Sequence, residues 1–349
     1  MKFDFAIGNP PYQEEQVSVN NENTLKNYAF PVYHVFMDAA YTVADKVELI
    51  HPARFLFNAG STPKAWNQKI LQDEHFKVLK YEADCSKVFT GVDIKGGLVV
   101  SYRDSTSVFG AIDIFTPFEE LNHILSKVIF SKGFESIFTI IISSFAYHFT
   151  EKLYVDFPDA KGCLSMGHDY DLKSNVFEKM PQPFLNGRPN DGRIYLKILG
   201  RKDFQRTYRY ILSDYIKGVD NLWSYKIFLP IATGVGNFGE TIAEPILAEP
   251  GTGATETFMS IGSFENVADA LNLGKYVKTK FTRALWGVLK RTQANTTDKW
   301  KYVPLQDFTD KSDIDWSKSI SEIDQQLYRK YGLTQDEIGF IESKVKEME

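Results

Sequence analysis

Over the first hundred positions, apolar residues gather into short runs of strand length separated by polar stretches. Phe3-Asp4-Phe5-Ala6-Ile7-Gly8 is the first run, and residues 46–50, 76–81 and 97–102 repeat the pattern. Between the first two, Val32, Val35, Phe36, Ala39, Ala40 and Val43 recur at helical spacing. They follow Pro31, whose fixed φ suits the first turn of a helix. Residues 63–72 read as a second helix. Strands alternating with helices predict an α/β sheet with right-handed crossovers. No helix separates the strands at 76–81 and 97–102, which predicts an antiparallel pair at the sheet edge.

Past residue 110 the pattern changes. Leu121, Ile124, Leu125 and Val128 mark one face of a helix within residues 116–132, and the β-branched and aromatic stretch 134–149 predicts strands. Residues 150–192 are rich in Pro, Gly, Asp and Asn and read as irregular structure. Residues 193–216 mix strand-like and helical stretches. Strands are expected at 225–231 and 255–261, a helix starting at 267–272, a basic helix at 276–290, and short amphipathic helices at 323–331 and 335–348. Three segments follow: an α/β segment 1–110, an α+β segment 111–310 and a helical segment 311–349.

Composition adds few constraints. The 349 residues suffice for two domains, and 43% apolar with 24% charged residues is ordinary for a globular protein. Cys85 and Cys163 have neither metal spacing nor a disulfide framework, and the six histidines show no paired ligand spacing, so no metal site is expected. A reducing, cytoplasmic setting is the simple expectation. Asp4 interrupts any signal-peptide pattern, and the apolar run 137–149 is too short to span a bilayer.

Charge is informative through its distribution. The chain carries a net −5, yet residues 188–226 hold nine Lys/Arg against four Asp, and residues 275–301 hold eight against one. Residues 307–349 hold eleven acids against six bases. Basic middle segments are compatible with a DNA-facing surface, or with a solvated face that has no partner. In the first segment Arg193, Arg201, Lys202, Arg206 and Arg209 interleave with Phe204, Tyr208 and Tyr210, a mixture suited to phosphate contacts and base stacking. In the second, Lys278, Lys280, Arg283, Lys290 and Arg291 are the candidate phosphate contacts.

The most specific stretch is Asn9-Pro10-Pro11-Tyr12, which ends the first strand. Consecutive prolines fix φ and remove two amide donors, and the residue before a proline is pushed out of the helical region. Asn9 is therefore held in an extended or turn conformation, with its side-chain amide projected. An exocyclic base amine has two N–H donors and needs two acceptors. Asn9 Oδ1 and the Pro10 carbonyl supply them, and Tyr12 adds a flat face for the ring. The plain alternative is a strand followed by a Pro-Pro turn.

Residues Phe3 to Tyr12 resemble the catalytic motif of adenine-N6 DNA methyltransferases, closest to those of type II restriction–modification enzymes with fused methylase and endonuclease. The resemblance extends over most of the chain, with the tetrad its most specific part. It implies that a methyl group moves from S-adenosylmethionine (SAM) to the N6 of an adenine flipped out of double-stranded DNA. It implies that Phe89, which otherwise reads as a core residue, stacks on the base opposite Tyr12. It also implies a target-recognition role for residues 111–310. Related tetrads serve a protein glutamine or an RNA base, but the basic middle segments favour DNA.

In that family the donor-binding strands precede the tetrad, and here eight residues do. The expected fold is thus the second half of a Rossmann-like methyltransferase sheet followed by an α+β recognition domain. The donor site is then expected on a separate polypeptide or a missing N-terminal segment. The alternative is a non-catalytic DNA-binding specificity module or an inactive remnant. Two glycine-rich stretches, residues 234–239 and 248–254, are the candidate donor loops. Neither opens a helix, as such a loop should. Asp93-Ile94-Lys95 has the D-x-K form of metal-dependent nucleases, but no upstream acidic partner stands out.

Overall fold

The computed structural model describes residues 3–14, 30–57, 61–89, 94, 96–112, 114–203, 205–290 and 292–348. The chain divides into two compact units, Met1–Asn122 and His123–Glu349. Both are mixed α/β.

The first unit contains β1 (Phe3–Gly8), α1 (Tyr33–Val43), β2 (Ala44–Pro52), α2 (Lys64–Leu71), β3 (Phe76–Glu82) and β4 (Leu98–Asp104). Its sheet has the order β1-β2-β4-β3. β1 runs parallel to β2, with Ala6 opposite Val47 and Gly8 opposite Leu49. β4 is antiparallel to both β2 and β3. The antiparallel pair expected from the sequence forms, with β3 on the outer edge. Val47 and Leu49 share one core with Tyr33 and Met37 of α1 and with Trp66 and Ile70 of α2. Each such buried side chain contributes roughly 1.5–3 kcal/mol. Asp38 ties the two helices together by accepting hydrogen bonds from Trp66 Nε1 and Lys69 Nζ, both at 3.0 Å.

β1 is covered on one side alone. Ala6 packs on that core. Successive side chains alternate between faces, and Phe3, Phe5 and Ile7 on the opposite face stay 63%, 61% and 78% exposed. Among the described residues no strand pairs with the outer edge of β1.

After α3 (Glu119–Ile129), whose four expected apolar residues are all buried, the second unit carries short elements. They are β5 (Ile141–Ile142), β6 (His148–Phe149), α4 (Glu151–Asp156), α5 (Val176–Lys179), β7 (Tyr195–Lys202), β8 (Gln205–Leu212), β9 (Ile216–Lys217), β10 (Tyr225–Pro230), β11 (Ile246–Ala248), β12 (Thr252–Ala254) and β13 (Phe258–Phe264). Four helices follow: α6 (Val267–Lys278), α7 (Lys280–Gly287), α8 (Ile320–Lys330) and α9 (Gln335–Lys344).

Three departures from the sequence pattern have local causes. The strands expected over 134–149 shrink to two residues each. Ser136 caps a 3-10 turn at Ile137–Ile140 and the Ile137 amide donates to the Val303 carbonyl, diverting the backbone from a ladder. The mixed stretch 193–216 resolves into one long hairpin, β7–β8. The basic helix expected at 276–290 breaks at Thr279, whose backbone is extended. Asp324 of α8 then accepts from the Lys280 and Phe281 amides at 3.0 and 2.8 Å, satisfying the first turn of α7. Residues 320–344 are in this way packed into the second unit.

The two glycine-rich stretches are used internally. The Val235 and Gly236 amides donate to the Glu240 carboxylate at 2.8 and 3.0 Å, and Lys290 closes the cluster with a short ion pair. Residues Thr252–Ala254 form β12, buried and paired in parallel with β7. Burial raises the Glu240 carboxyl, but Lys290 and the two amides outweigh it and hold the group below the usual range. A carboxyl depressed in the folded state stabilises above its unfolded pKa, and that contribution fades as pH falls through the folded value. Glu240→Gln leaves a buried, unpaired ammonium and is expected to cost about 3 kcal/mol in chemical denaturation at neutral pH. The Glu240→Gln/Lys290→Met double variant should recover part of the loss, and a neutral result for Glu240→Gln alone would contradict the assignment.

Candidate nucleotide-binding site

Parallel pairing places the ends of β1 and β2 on the same side of the sheet. Gly8 lies opposite Leu49, and β2 runs on to Pro52. In α/β sheets ligands bind beyond the carboxyl ends of such strands. The Asn9–Tyr12 turn leaves β1 there. Asn9 and Pro11 are exposed, and Pro10 and Tyr12 are half-buried. The return path is pinned to the start of α1. The Tyr12 carbonyl accepts from Val32 N at 3.1 Å, Gln13 bridges to Pro31, and Glu14 N donates to the Phe30 carbonyl at 3.0 Å. Pro31 therefore serves as a bridge partner and stands before the helix, which begins at Tyr33.

Tyr12 presents a specific chemistry. Its hydroxyl is buried and makes no hydrogen bond of good geometry. Burial raises the phenol pKa, the neighbouring Asn9 amide lowers it in part, and the Cys85 thiol raises it further. Cys85 is itself buried, and its Sγ donates to the Ile94 carbonyl at 3.3 Å. The Cys85 carbonyl accepts from Phe89 N at 2.9 Å. Cys85 thus holds the segment that carries half-buried Phe89. The sequence does not single out Cys85 as a support for this segment, because a lone cysteine has no spacing signature. Asp93 and Lys95 of the D-x-K tripeptide lie outside the described residues.

A second missed residue is His51, at the end of β2. It is fully buried, and desolvation pushes its pKa down to about 4, so it is neutral at ordinary pH. Its Nε2 lies 2.7 Å from Ser101 Oγ, and its ring stacks on Tyr33 with centroids 5.5 Å apart. This stack braces the first residue of α1 against the end of β2, directly behind the turn. Among the described residues no group of His, Cys, Asp and Glu could hold a metal ion, and no helix is long and apolar enough to cross a membrane.

The basic candidates divide sharply. Arg283 and Lys290 are 1% and 2% exposed. Arg283 donates to the carbonyls of Lys278, Glu240 and Lys346, and Lys290 pairs with Glu240. Lys278 pairs with Glu244 at 2.9 Å, and Lys280 with Glu342. The expectation that this segment faces DNA is corrected for the two buried cations: their charges are spent inside the unit. Arg291 and Phe204 lie outside the described residues. On the β7–β8 hairpin, Arg193, Arg201 and Arg206 are exposed, while Lys202 and Arg209 are half-buried. Arg201 sits directly opposite Arg206 in the register, close to the tip. Arg193 is held by Asp191 at 2.6 Å, and Arg209 lies over the Phe177 ring.

Comparison with known proteins gives three findings. No curated protein matches the chain. Among solved structures, the type IIG restriction endonuclease BpuSI is similar at 9% identity and a TM-score of 0.28, a likeness too slight to support an argument about fold or function. The match covers 86% of this chain and 44% of that one, so the chain spans less than half the length of BpuSI. Residues 1–89, which hold the Asn9–Tyr12 turn, Cys85 and Phe89, match the family model of the Eco57I restriction-modification methylases.

Proposed function

We propose that this chain is the base-capturing part of an adenine-N6 DNA methyltransferase of a restriction–modification system. The carrying observation is the exposed Asn9 beside half-buried Tyr12, at the carboxyl end of a parallel strand pair inside the methylase-matched segment. Asn9 Oδ1 and the Pro10 carbonyl accept the two N6 hydrogens of an extruded adenine, which directs the nitrogen lone pair outward. Tyr12 and Phe89 take the ring faces, and each stack returns roughly 1–3 kcal/mol against the few kcal/mol that extrusion costs.

SAM would supply the methyl group. The two glycine-rich stretches among the described residues do not fit it, since their amides are taken by Glu240 or by the β7 ladder. No step through the donor is therefore assigned to this chain. Its site is supplied by a separate polypeptide or further segment docking on the open edge of β1. An unpaired edge flanked by exposed Phe3, Phe5 and Ile7 is a template for strand addition. A non-catalytic specificity module is favoured by the same donor-site observation, and differs in predicting no methyl transfer even when the donor half is present.

DNA contact is assigned to the β7–β8 hairpin. Arg201 and Arg206 are exposed and directly opposite in the register, so one phosphate can accept from both guanidinium groups. Lys202 and Arg209 alternate to the other face of the ladder and Arg193 precedes it, held by Asp191, so these three contribute to a lesser degree, as do the ion-paired Lys278 and Lys280.

Three outcomes test the reading. The purified chain alone should show no tight SAM binding by calorimetry; tight binding would refute the split donor site. In an assay complemented with a donor-binding half, Asn9→Ala should lower methyl transfer by about 100-fold or more through misplacement of the amine, with DNA binding retained. Unchanged transfer would remove the mechanism. Arg206→Ala should weaken duplex binding similarly across sequences and reduce the slope of log K against log salt by about 1; an unchanged slope would detach the hairpin from the phosphate backbone.

A further inference from the structure

Beyond the groups that hold the base, one cation stands at the same end of the sheet. Arg54 opens the 3-10 turn that follows β2 and is exposed. Three segments of the site meet at it. From its own segment, Ala53 N donates to the Gly97 carbonyl at 3.0 Å, which fixes the end of β2 against the 94–97 loop. That loop carries the Ile94 carbonyl bonded by Cys85 Sγ, and so is tied to the Phe89 segment. The stem of Arg54 lies against Gly96: a Cβ there would fall 2.5 Å from Arg54 Cγ, and Gly96 has a φ of +92°. Only glycine permits both the backbone conformation and the close approach. The residue after Arg54, Phe55, packs its ring against Tyr33 with centroids 6.3 Å apart, at the start of the helix whose preceding Val32 amide holds the Tyr12 carbonyl. Among the described residues no carboxylate forms an ion pair with Arg54.

A base gripped by its edge at Asn9 and by its faces at Tyr12 and Phe89 still has a free sugar–phosphate. We infer that Arg54 binds a phosphate of the extruded nucleotide, anchoring the backbone on the side of the site away from the β1 edge. A guanidinium offers two parallel donors that match a phosphate, which a lysine does not reproduce. This inference rests on the base-capture reading, extending it from the base to the nucleotide.

Titration of the full chain with deoxyadenosine and with its 5′- and 3′-monophosphates, followed by NMR, tests it. The wild type is expected to bind one monophosphate about tenfold more tightly than the nucleoside, as a charge-assisted hydrogen-bonded contact gives. Arg54→Met should reduce that nucleotide to nucleoside affinity while leaving deoxyadenosine binding unchanged. Arg54→Lys should restore part of the preference. Asn9→Ala should weaken all three ligands alike. A preference that survives in Arg54→Met overturns the inference. So does wild-type binding of deoxyadenosine, sensitive to Asn9→Ala, with no phosphate preference, and that result leaves the base-capture reading standing. Absence of any adenine-ligand binding removes both.

Discussion

The parallel pairing of Phe3–Gly8 with Ala44–Pro52 is the constraint on which the first unit depends. Two strands that point the same way must be joined by a crossover, and the crossover helix α1 begins where the chain has returned to the amino-acid neighbours of the turn. Two prolines leave the turn without amides to donate, so its anchors lie just downstream: the Tyr12 carbonyl on Val32, and the bridge from Gln13 to Pro31. The tetrad is thus rigid within itself and fastened to the helix that covers the sheet. Without the parallel register, the turn, the end of β2 and the loop beneath Gly96 would not share one end of the sheet.

Behind this surface lies a layer of polar groups that packing has neutralised. His51 is held neutral by desolvation and satisfied by Ser101, and Tyr33 stacks on it. Cys85 donates to Ile94 and supports the Phe89 backbone. Buried polar groups cost stability unless they are paired, and these pairs join the β2 end, the α1 start and the 85–97 segment. The Tyr12 hydroxyl is buried without a well-formed hydrogen bond, as are His34 Nδ1 and the Tyr41 hydroxyl, and it alone of these stands in the tetrad with the exposed Asn9.

Electrostatics in the second unit follow a similar logic of internal use. The basic stretch around α6 and α7 and the acidic C-terminal stretch meet and partly neutralise each other. Lys280 reaches Glu342, Asp324 caps α7, and Lys275 donates to the Trp316 carbonyl. Arg283 and Lys290 are absorbed completely. The hairpin cations differ because successive residues of a ladder alternate between its faces, and β12 pairs with β7 at Lys197–Leu199, short of the tip. Arg201 and Arg206 stay exposed on facing strands of the hairpin.

Much of the first unit was legible in the order of residues. Period-two runs and helical spacing located its strands and helices, because those periodicities are local properties of a backbone with one buried face. Asn9 to Tyr12 was legible for the same reason: proline acts on its own φ and on its immediate neighbour. Partners distant along the chain were not legible. Nothing local couples His51 to Tyr33 or Arg54 to Gly96, since each contact exists through strand register and loop closure. Nor does a run of lysines and arginines say which of them face solvent. That was decided when acidic segments from elsewhere in the chain folded against α7, because a charge enters the interior where an opposite charge or a set of carbonyls already waits for it.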